Sequence, residues 1–390
     1  MKTIYLDNAA ATPIDPRVLK AMNLAYKKYG NPSSFNGAGR LAREEVESAR
    51  SIVARFLGAR SEEIVFTSSG SEANNLTLAG YLMNKKGTVL VTPIEHPSVL
   101  ECLRSMSNIK IKFLKINSEG LVDLVDLKNQ LGPDILLVSV MYANNEIGTI
   151  QPIRQIAKII KDFSAEGGSA SGGNNKILFH VDACQAAGFL NMNVQHLGAD
   201  LVTFNGSKIY GPRGIGVLYV RRGIKLSPLI GGGSQEHGLR AGTENMPAIV
   251  GLAKAVSLIK PTTNNRQLTT LRNYAIEQLE KNISDVLVNG PRGTGRLANN
   301  ISICIPNLES ENLLLELDQY GISAGSGSAC TSHSVEPSHV LKAIGVPAEY
   351  INGALRFSLG RATTKKGIDY LVKSLVKIVA DLTDRYARLR

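Results

Sequence analysis

Two short segments carry the reactive groups of this chain. Lys208 lies in Asn205-Gly-Ser-Lys-Ile-Tyr-Gly-Pro-Arg-Gly-Ile-Gly216, and Cys330 lies in Gly325-Ser-Gly-Ser-Ala-Cys-Thr-Ser332. A lysine is ordinarily a solvated surface charge, but Lys208 sits between an apolar run and a Gly-Pro turn. There its amine could hold a carbonyl cofactor as an imine. A cysteine is ordinarily a small buried hydrophobe, a reading that suits Cys102 and Cys304, and Cys184 also reads as structural, turned away while its neighbours Asp182 and Gln185 face the site. Cys330 is surrounded mainly by Gly and Ser with almost nothing apolar to pack on, the setting of a nucleophilic thiol. An imine former and a presented thiol in one chain point to sulfur chemistry on an amino acid.

Other polar residues cluster after apolar runs. In Phe66-Thr-Ser-Ser-Gly-Ser-Glu-Ala-Asn-Asn75, Ser69 and Glu72 have capping-box spacing. A helix opening at Gly70 and Ser71 would offer unpaired N–H groups to a phosphate. No Gly-Lys-Ser/Thr follows and no GxGxxG is present, which disfavours a P-loop or a dinucleotide site. Asp182, in His180-Val-Asp-Ala-Cys-Gln185, is either a turn cap or the counter-ion of a heteroaromatic nitrogen. His96 is either a satisfied loop histidine or a ring that stacks and shuttles protons. Arg356, in Leu355-Arg-Phe-Ser-Leu359, is either an outward surface charge or a bidentate clamp for a carboxylate. The remaining histidines show no metal-ligand spacing, and no metal site is expected.

These loops need a frame. Candidate strands run over 63–67, 88–92, 135–140, 177–181, 200–204 and 215–220, several of them apolar on both faces, as in a sheet covered by helices. Their alternation with helical stretches implies an α/β fold with a mainly parallel sheet. Ligands in such sheets gather beyond the carboxyl ends of the strands, where five polar loops (68–71, 95–96, 144–145, 182–185, 205–208) converge. After about residue 257 the pattern becomes a smaller α+β unit: helix 266–283, strand 299–305, helix 310–320 closed by Gly321, strand 355–359, and a last helix with Ile368, Leu371, Val372, Leu375, Val379 and Leu382 on one face. The expected organisation is a large cofactor domain over 17–257. Residues 1–16 and 258–390 would form a small domain that carries the cysteine loop, about 323–335. The Gly/Ser/Asn-rich stretch 167–175 reads as a surface loop.

Composition sets the outer limits. At 390 residues, with 43% hydrophobic and 20% charged residues, the chain has the make-up of an ordinary two-domain globular protein. No apolar run is long enough to cross a membrane. Asp7 interrupts what would be a signal-peptide core, so a cytoplasmic location is expected. Four scattered cysteines without CxxC spacing argue against a disulfide framework. The net charge of +11 comes without a run of five like charges or basic–aromatic interleaving, so direct nucleic-acid binding is not expected.

Read together, the motifs resemble the cysteine desulfurases of the NifS/IscS type, pyridoxal-phosphate enzymes with the aspartate-aminotransferase-like fold. The resemblance spans nearly the whole chain. It includes Tyr5-Leu-Asp-Asn-Ala-Ala-Ala-Thr-Pro13, Gly30-Asn-Pro-Ser-Ser34, Asn144-Asn-Glu-Ile-Gly148, Gly238-Leu-Arg-Ala-Gly-Thr243 and Leu355-Arg-Phe-Ser-Leu-Gly-Arg361, besides the Lys208 and Cys330 segments. It implies that Lys208 holds pyridoxal 5′-phosphate, that Asp182 pairs with the pyridine nitrogen and that Gln185 pairs with the phenolic oxygen. His96 would stack on the ring and assist proton transfer. Gly70, Ser71 and Ser207 would bind the phosphate, joined by Thr243 from the second subunit of a homodimer, with Asn205 also at the cofactor. Asn145 and Arg356 would orient the substrate, L-cysteine, with Arg356 on its carboxylate.

The resemblance further implies that Cys330 takes the substrate sulfur as a persulfide, releasing alanine. Cys330 would then pass the sulfur to an acceptor protein, an iron–sulfur scaffold or a tRNA-thiolation relay. Ser207 stands where the family often has His, and Asn205 where it often has Ser. The C-terminal Tyr386-Ala-Arg-Leu-Arg390 lacks the tail that several relatives use to dock a scaffold. Two alternatives keep the cofactor but change the reaction, an aminotransferase or a selenocysteine lyase. A third is a non-catalytic assembly platform, against which Lys208 argues.

Overall fold

The computed structural model describes residues 3–165, 176–327 and 337–388. A seven-stranded sheet forms its centre, in the order Ile64–Thr67, Gly216–Val220, Leu201–Asn205, Leu178–Asp182, Ile135–Ser139, Gly87–Val91, Ile109–Phe113. The last five strands pair in parallel, and Gly216–Val220 runs antiparallel to both its neighbours. The sheet is therefore mainly parallel, as the alternation of elements predicts. Its inner strands are buried at every position but two, Gly87 at the start of one strand and Asn205 at the end of another, which explains their continuous apolar runs. Each of the six expected strands is present with its ends shifted by a residue or so.

Ile109–Phe113 is the strand that the apolar runs did not mark. Lys110 and Lys112 alternate with Ile109, Ile111 and Phe113, the two-sided pattern of an edge strand. Leu178–Asp182 ends one residue later than expected, so Asp182 is itself the last strand residue.

One apolar cluster unites this sheet with the helices Pro16–Ala25, Gly37–Leu57 and Met246–Ser257. A separate cluster joins Leu6 to the strands Asn300–Cys304 and Ala354–Ser358 and to the helices Pro261–Asn282, Ser310–Gln319 and Lys365–Arg388. The last helix buries Ile368, Leu371, Val372, Leu375, Ile378 and Leu382. Ile378 replaces Val379 at the centre of the stripe, and Val379 packs at its margin. Ile4–Tyr5 pairs in parallel with Ile322–Ser323, so the start of the chain is laid beside the segment that leads to Cys330. Among the described residues, no helix is long and apolar enough to cross a membrane.

Candidate active site

The carboxyl ends of the parallel strands open into a cavity of about 400 Å³. Nine of the residues singled out from sequence line it: Gly70, Ser71, His96, Asn145, Asp182, Gln185, Asn205, Lys208 and Arg356. Ser207 and Thr243 do not. The Ser207 hydroxyl donates to Asn205 Oδ1 at 3.1 Å, and Thr243 is exposed on another depression with Ser68 and Arg240. Cys330 lies outside the described residues, as does the 167–175 stretch.

Ser69 caps the helix Gly70–Leu82, its Oγ accepting from the Glu72 amide at 3.1 Å. The return half of the expected capping box is displaced by one residue, since Glu72 Oε2 accepts from the Ser68 amide at 2.8 Å. The helix N-terminus thus opens on the cavity, with Gly70 and Ser71 in its lining. A Cβ at Gly70 would lie 2.6 Å from Cys184 Sγ and 3.0 Å from Asn205 Nδ2. Only glycine lets the helix start so close to this wall, leaving a cradle for an anion.

Lys208 ends the short turn Gly206–Lys208 that follows the Leu201–Asn205 strand. Tyr210, two residues on, is left-handed at φ 62°, and its amide donates to Thr12 Oγ1 at 2.7 Å. The Thr12 amide and hydroxyl in turn donate to the Ser207 carbonyl at 2.8 and 2.9 Å. This lacing aims the Lys208 amine over the N-terminal segment, where Nζ donates to the Ala10 carbonyl. Gln185 Nε2 donates to the neighbouring Ala9 carbonyl at 3.0 Å.

Asp182 is buried, its Oδ1 accepting from the Cys184 amide at 3.0 Å and its Oδ2 from Asn74 Nδ2 at 2.8 Å. Asn74 Nδ2 also reaches Ser98 Oγ at 2.9 Å, and that hydroxyl lies 2.8 Å from His96 Nδ1. The Ser98 amide donates to the same Nδ1 at 3.1 Å, so the hydrogen of the neutral ring belongs on Nε2. Burial holds the His96 pKa below its ordinary value, which keeps the ring neutral. One side chain, Asn74, therefore orients both the carboxylate and the imidazole. Its position one turn beyond Gly70 was the available sequence signal.

Arg356 is 2% exposed despite its place on the Ala354–Ser358 strand, which rules out the surface-charge reading. Its guanidinium donates to Asp7 Oδ1 at 2.9 Å and to the Asn145 carbonyl at 3.2 Å, and its buried Nε finds no acceptor among the described residues. The reading of Cys184 as turned away from the site is corrected. Glycine at position 70 leaves room for its sulfur, which lines the cavity and lies 3.6 Å from Asn205 Nδ2. Burial, with Asp182 nearby, pushes that thiol well above its usual range, so it is the inert thiol of the wall.

Sequence reasoning also missed Glu146 and His339, which line the same cavity. His339 Nε2 lies 2.9 Å from the Glu95 carbonyl, which can only accept, so Nδ1 keeps the lone pair. His180 is a satisfied core histidine, with ring nitrogens 2.9 Å from Ser139 Oγ and 3.3 Å from Thr203 Oγ1. No metal-binding cluster exists among the described residues.

Residues 4–371 match the family described as aminotransferase class-V. A cysteine desulfurase IscS from Dictyoglomus turgidum is 44% identical over 389 residues, 98% of this chain and 95% of that one. The chain belongs to the cysteine desulfurases of that family. Among solved structures, a NifS-like protein superposes with a TM-score of 0.88 at 36% identity, covering 97% of this chain and 100% of the other. A structure titled SspA in complex with cysteine gives 0.79 at 32% identity, covering 92% of this chain and 99% of that one. The fold expected from sequence, that of the pyridoxal-phosphate enzymes of aspartate-aminotransferase type, is the fold of these relatives.

Proposed function

We propose that the cavity binds pyridoxal 5′-phosphate at Lys208 and that the chain removes sulfur from L-cysteine, giving L-alanine and a persulfide on Cys330. The observation that carries this reading is a convergence on one cavity. A lysine amine, a buried carboxylate, a helix N-terminus opened by Gly70 and a buried guanidinium with an unpartnered N–H all line it. The donor set fits the coenzyme. Asp182 would face the ring nitrogen, Gln185 the phenolic oxygen and His96 the ring face. The phosphate would meet the Gly70 and Ser71 amides, with Ser207, Asn205 and, from a second subunit, Thr243 completing its surroundings. When bound, the coenzyme supplies an electron-deficient ring that takes up charge released at the substrate Cα.

The chain's own groups supply the rest. Arg356 grips the substrate carboxylate and Asn145 sets its orientation. Lys208 Nζ takes and returns the Cα proton, with neutral His96 assisting. The Cys330 thiolate attacks the substrate sulfur, so the carbon–sulfur bond breaks and a sulfur–sulfur bond forms on Cys330. One L-cysteine and one thiol become one L-alanine and one persulfide, with no external oxidant. The persulfide passes to an acceptor protein, an iron–sulfur scaffold or a tRNA-thiolation relay. The working unit is a homodimer, and its place is the cytoplasm, where such thiols stay reduced. Reconstitution with pyridoxal phosphate tests the reading. The wild type acquires the visible absorbance of a lysine-bound coenzyme and K208A does not; a wild type that stays colourless refutes it.

A further inference from the structure

Glu146 has no part in the chemistry above, yet it is 3% exposed and lines the same cavity. Its backbone is fixed: the amide donates to Asn144 Oδ1 at 2.8 Å, and the carbonyl accepts from Asn300 Nδ2 at 3.0 Å. Its Oε2 accepts from the Ser338 hydroxyl at 2.5 Å. Ser338 Oγ in turn accepts from the Val340 and Leu341 amides at 3.1 and 3.3 Å, so its one hydrogen is committed to Glu146. A Cβ on Gly327 would lie 2.7 Å from the same Oε2. Gly327 therefore passes close against the oxygen that Ser338 bonds, and in sequence the two bracket residues 328–337, Cys330 among them.

A second tie lies just before this point. Gly325 pairs with Arg356, the Gly325 amide to the Arg356 carbonyl at 3.1 Å and the Arg356 amide to the Gly325 carbonyl at 2.7 Å. The root of the segment is thus built onto the residue proposed to hold the substrate carboxylate. A buried carboxyl group is costly, and burial pushes that of Glu146 up to about 7. A merely structural brace has cheaper solutions.

We infer that Glu146 is a positioning residue for sulfur transfer, fixing both roots of the Cys330 segment so that the thiol meets the substrate sulfur. This inference rests on the desulfurase reading and adds to it the group that sets the reach of the thiol. Glu146 touches neither substrate nor coenzyme in this role. It acts through Gly327 and Ser338.

The test uses the full chain loaded with pyridoxal phosphate. A single turnover with L-cysteine is quenched and the sulfur on the Cys330 peptide is measured by mass spectrometry. In E146A the rate of persulfide formation falls at least ~10-fold, since misplacing a reacting group by an ångström costs that much or more. The L-cysteine concentration giving a half-maximal change in coenzyme absorbance stays within about twofold, because Arg356 and Lys208 are intact. E146Q stays within about threefold of wild type, because its amide oxygen still accepts from Ser338. G327A lowers the wild-type rate but adds little in the E146A background, where the oxygen it presses on is gone.

A readout independent of turnover is hydrogen exchange of coenzyme-free protein, in which the amides of 323–327 and 339–343 exchange faster in E146A and as in wild type in E146Q. If E146A does not fold, E146Q and G327A still decide the matter. An E146A rate within twofold of wild type overturns the inference, as does equal impairment of E146A and E146Q. A wild type that gains no sulfur on Cys330 overturns the desulfurase reading, and the inference with it.

Discussion

Replacing Asp182 by Asn separates electronic from structural roles at the centre of the site. Each carboxylate oxygen of Asp182 is occupied by one donor, Cys184 N at 3.0 Å and Asn74 Nδ2 at 2.8 Å. The charge is thereby oriented before any ligand arrives. A hydrogen bond to a charged partner is worth about 1.5–3 kcal/mol, so D182N lowers kcat/KM for L-cysteine by roughly 10- to 150-fold. Coenzyme retention falls less, because the helix N-terminus and Lys208 persist. The amide must also point its NH2 at one of the two donors, leaving a buried N–H unpaired at a cost of about 1–3 kcal/mol in stability.

The exchanged pair N74D/D182N sets acceptor and donor opposite each other again but moves the negative charge away from the ring position. Denaturant titration of coenzyme-free protein and steady-state alanine formation are measured on all four proteins. The expected result is that the double variant regains stability lost in D182N while kcat/KM stays low. Wild-type kcat/KM in D182N, or activity that recovers together with stability, refutes the argument that the location of the charge matters.

Three further outcomes are expected. G70A forces a Cβ to 2.6 Å from Cys184 Sγ, so coenzyme affinity, measured by fluorescence titration, drops at least ~10-fold; unchanged affinity removes the helix N-terminus from the site. R356K keeps the charge but loses the fork, and raises KM for L-cysteine about 10-fold or more with a smaller change in kcat; equal KM values contradict the carboxylate clamp. Glu95 is fully buried, with Oε2 unpartnered among the described residues, and desolvation pushes its carboxyl up to about 8. Folding thus favours its protonated form, so its stability contribution is intact below the ordinary carboxylate pKa and is lost as pH rises towards 8. E95Q does not titrate, so it matches wild type near pH ~5 and exceeds it by a few kcal/mol near pH ~9; parallel pH profiles in denaturant titrations refute this.

The sheet was legible because its inner strands are apolar on both faces, a pattern set by burial between helix layers. The edge strand Ile109–Phe113 was not, since only Ile109 is buried and Lys110 and Lys112 break its apolar run. Parallel topology brings the strand ends to one edge, so the convergence of Gly70, Asp182 and Lys208 on one cavity was legible, while the choice between turn cap and counter-ion for Asp182 was not. Arg356 was undecided in sequence, because strand alternation does not say which face meets the cavity. Its 2% exposure settles that. Asn74 and Glu146 act through partners distant in sequence, Asp182 for one and Ser338 for the other; the place of Asn74 one turn beyond Gly70 hinted at its contact, and no local spacing marked that of Glu146. Cys184 was misjudged because the side chain that would have displaced it, at position 70, is missing.

Mass spectrometry of the coenzyme-loaded chain after brief exposure to L-cysteine tests the central claim most directly. The account predicts one added sulfur on the peptide bearing Cys330, matched by one released L-alanine, with both lost in C330A. Alanine and sulfide formed at the wild-type rate by C330A, or a wild-type Cys330 peptide that never gains sulfur, would contradict it.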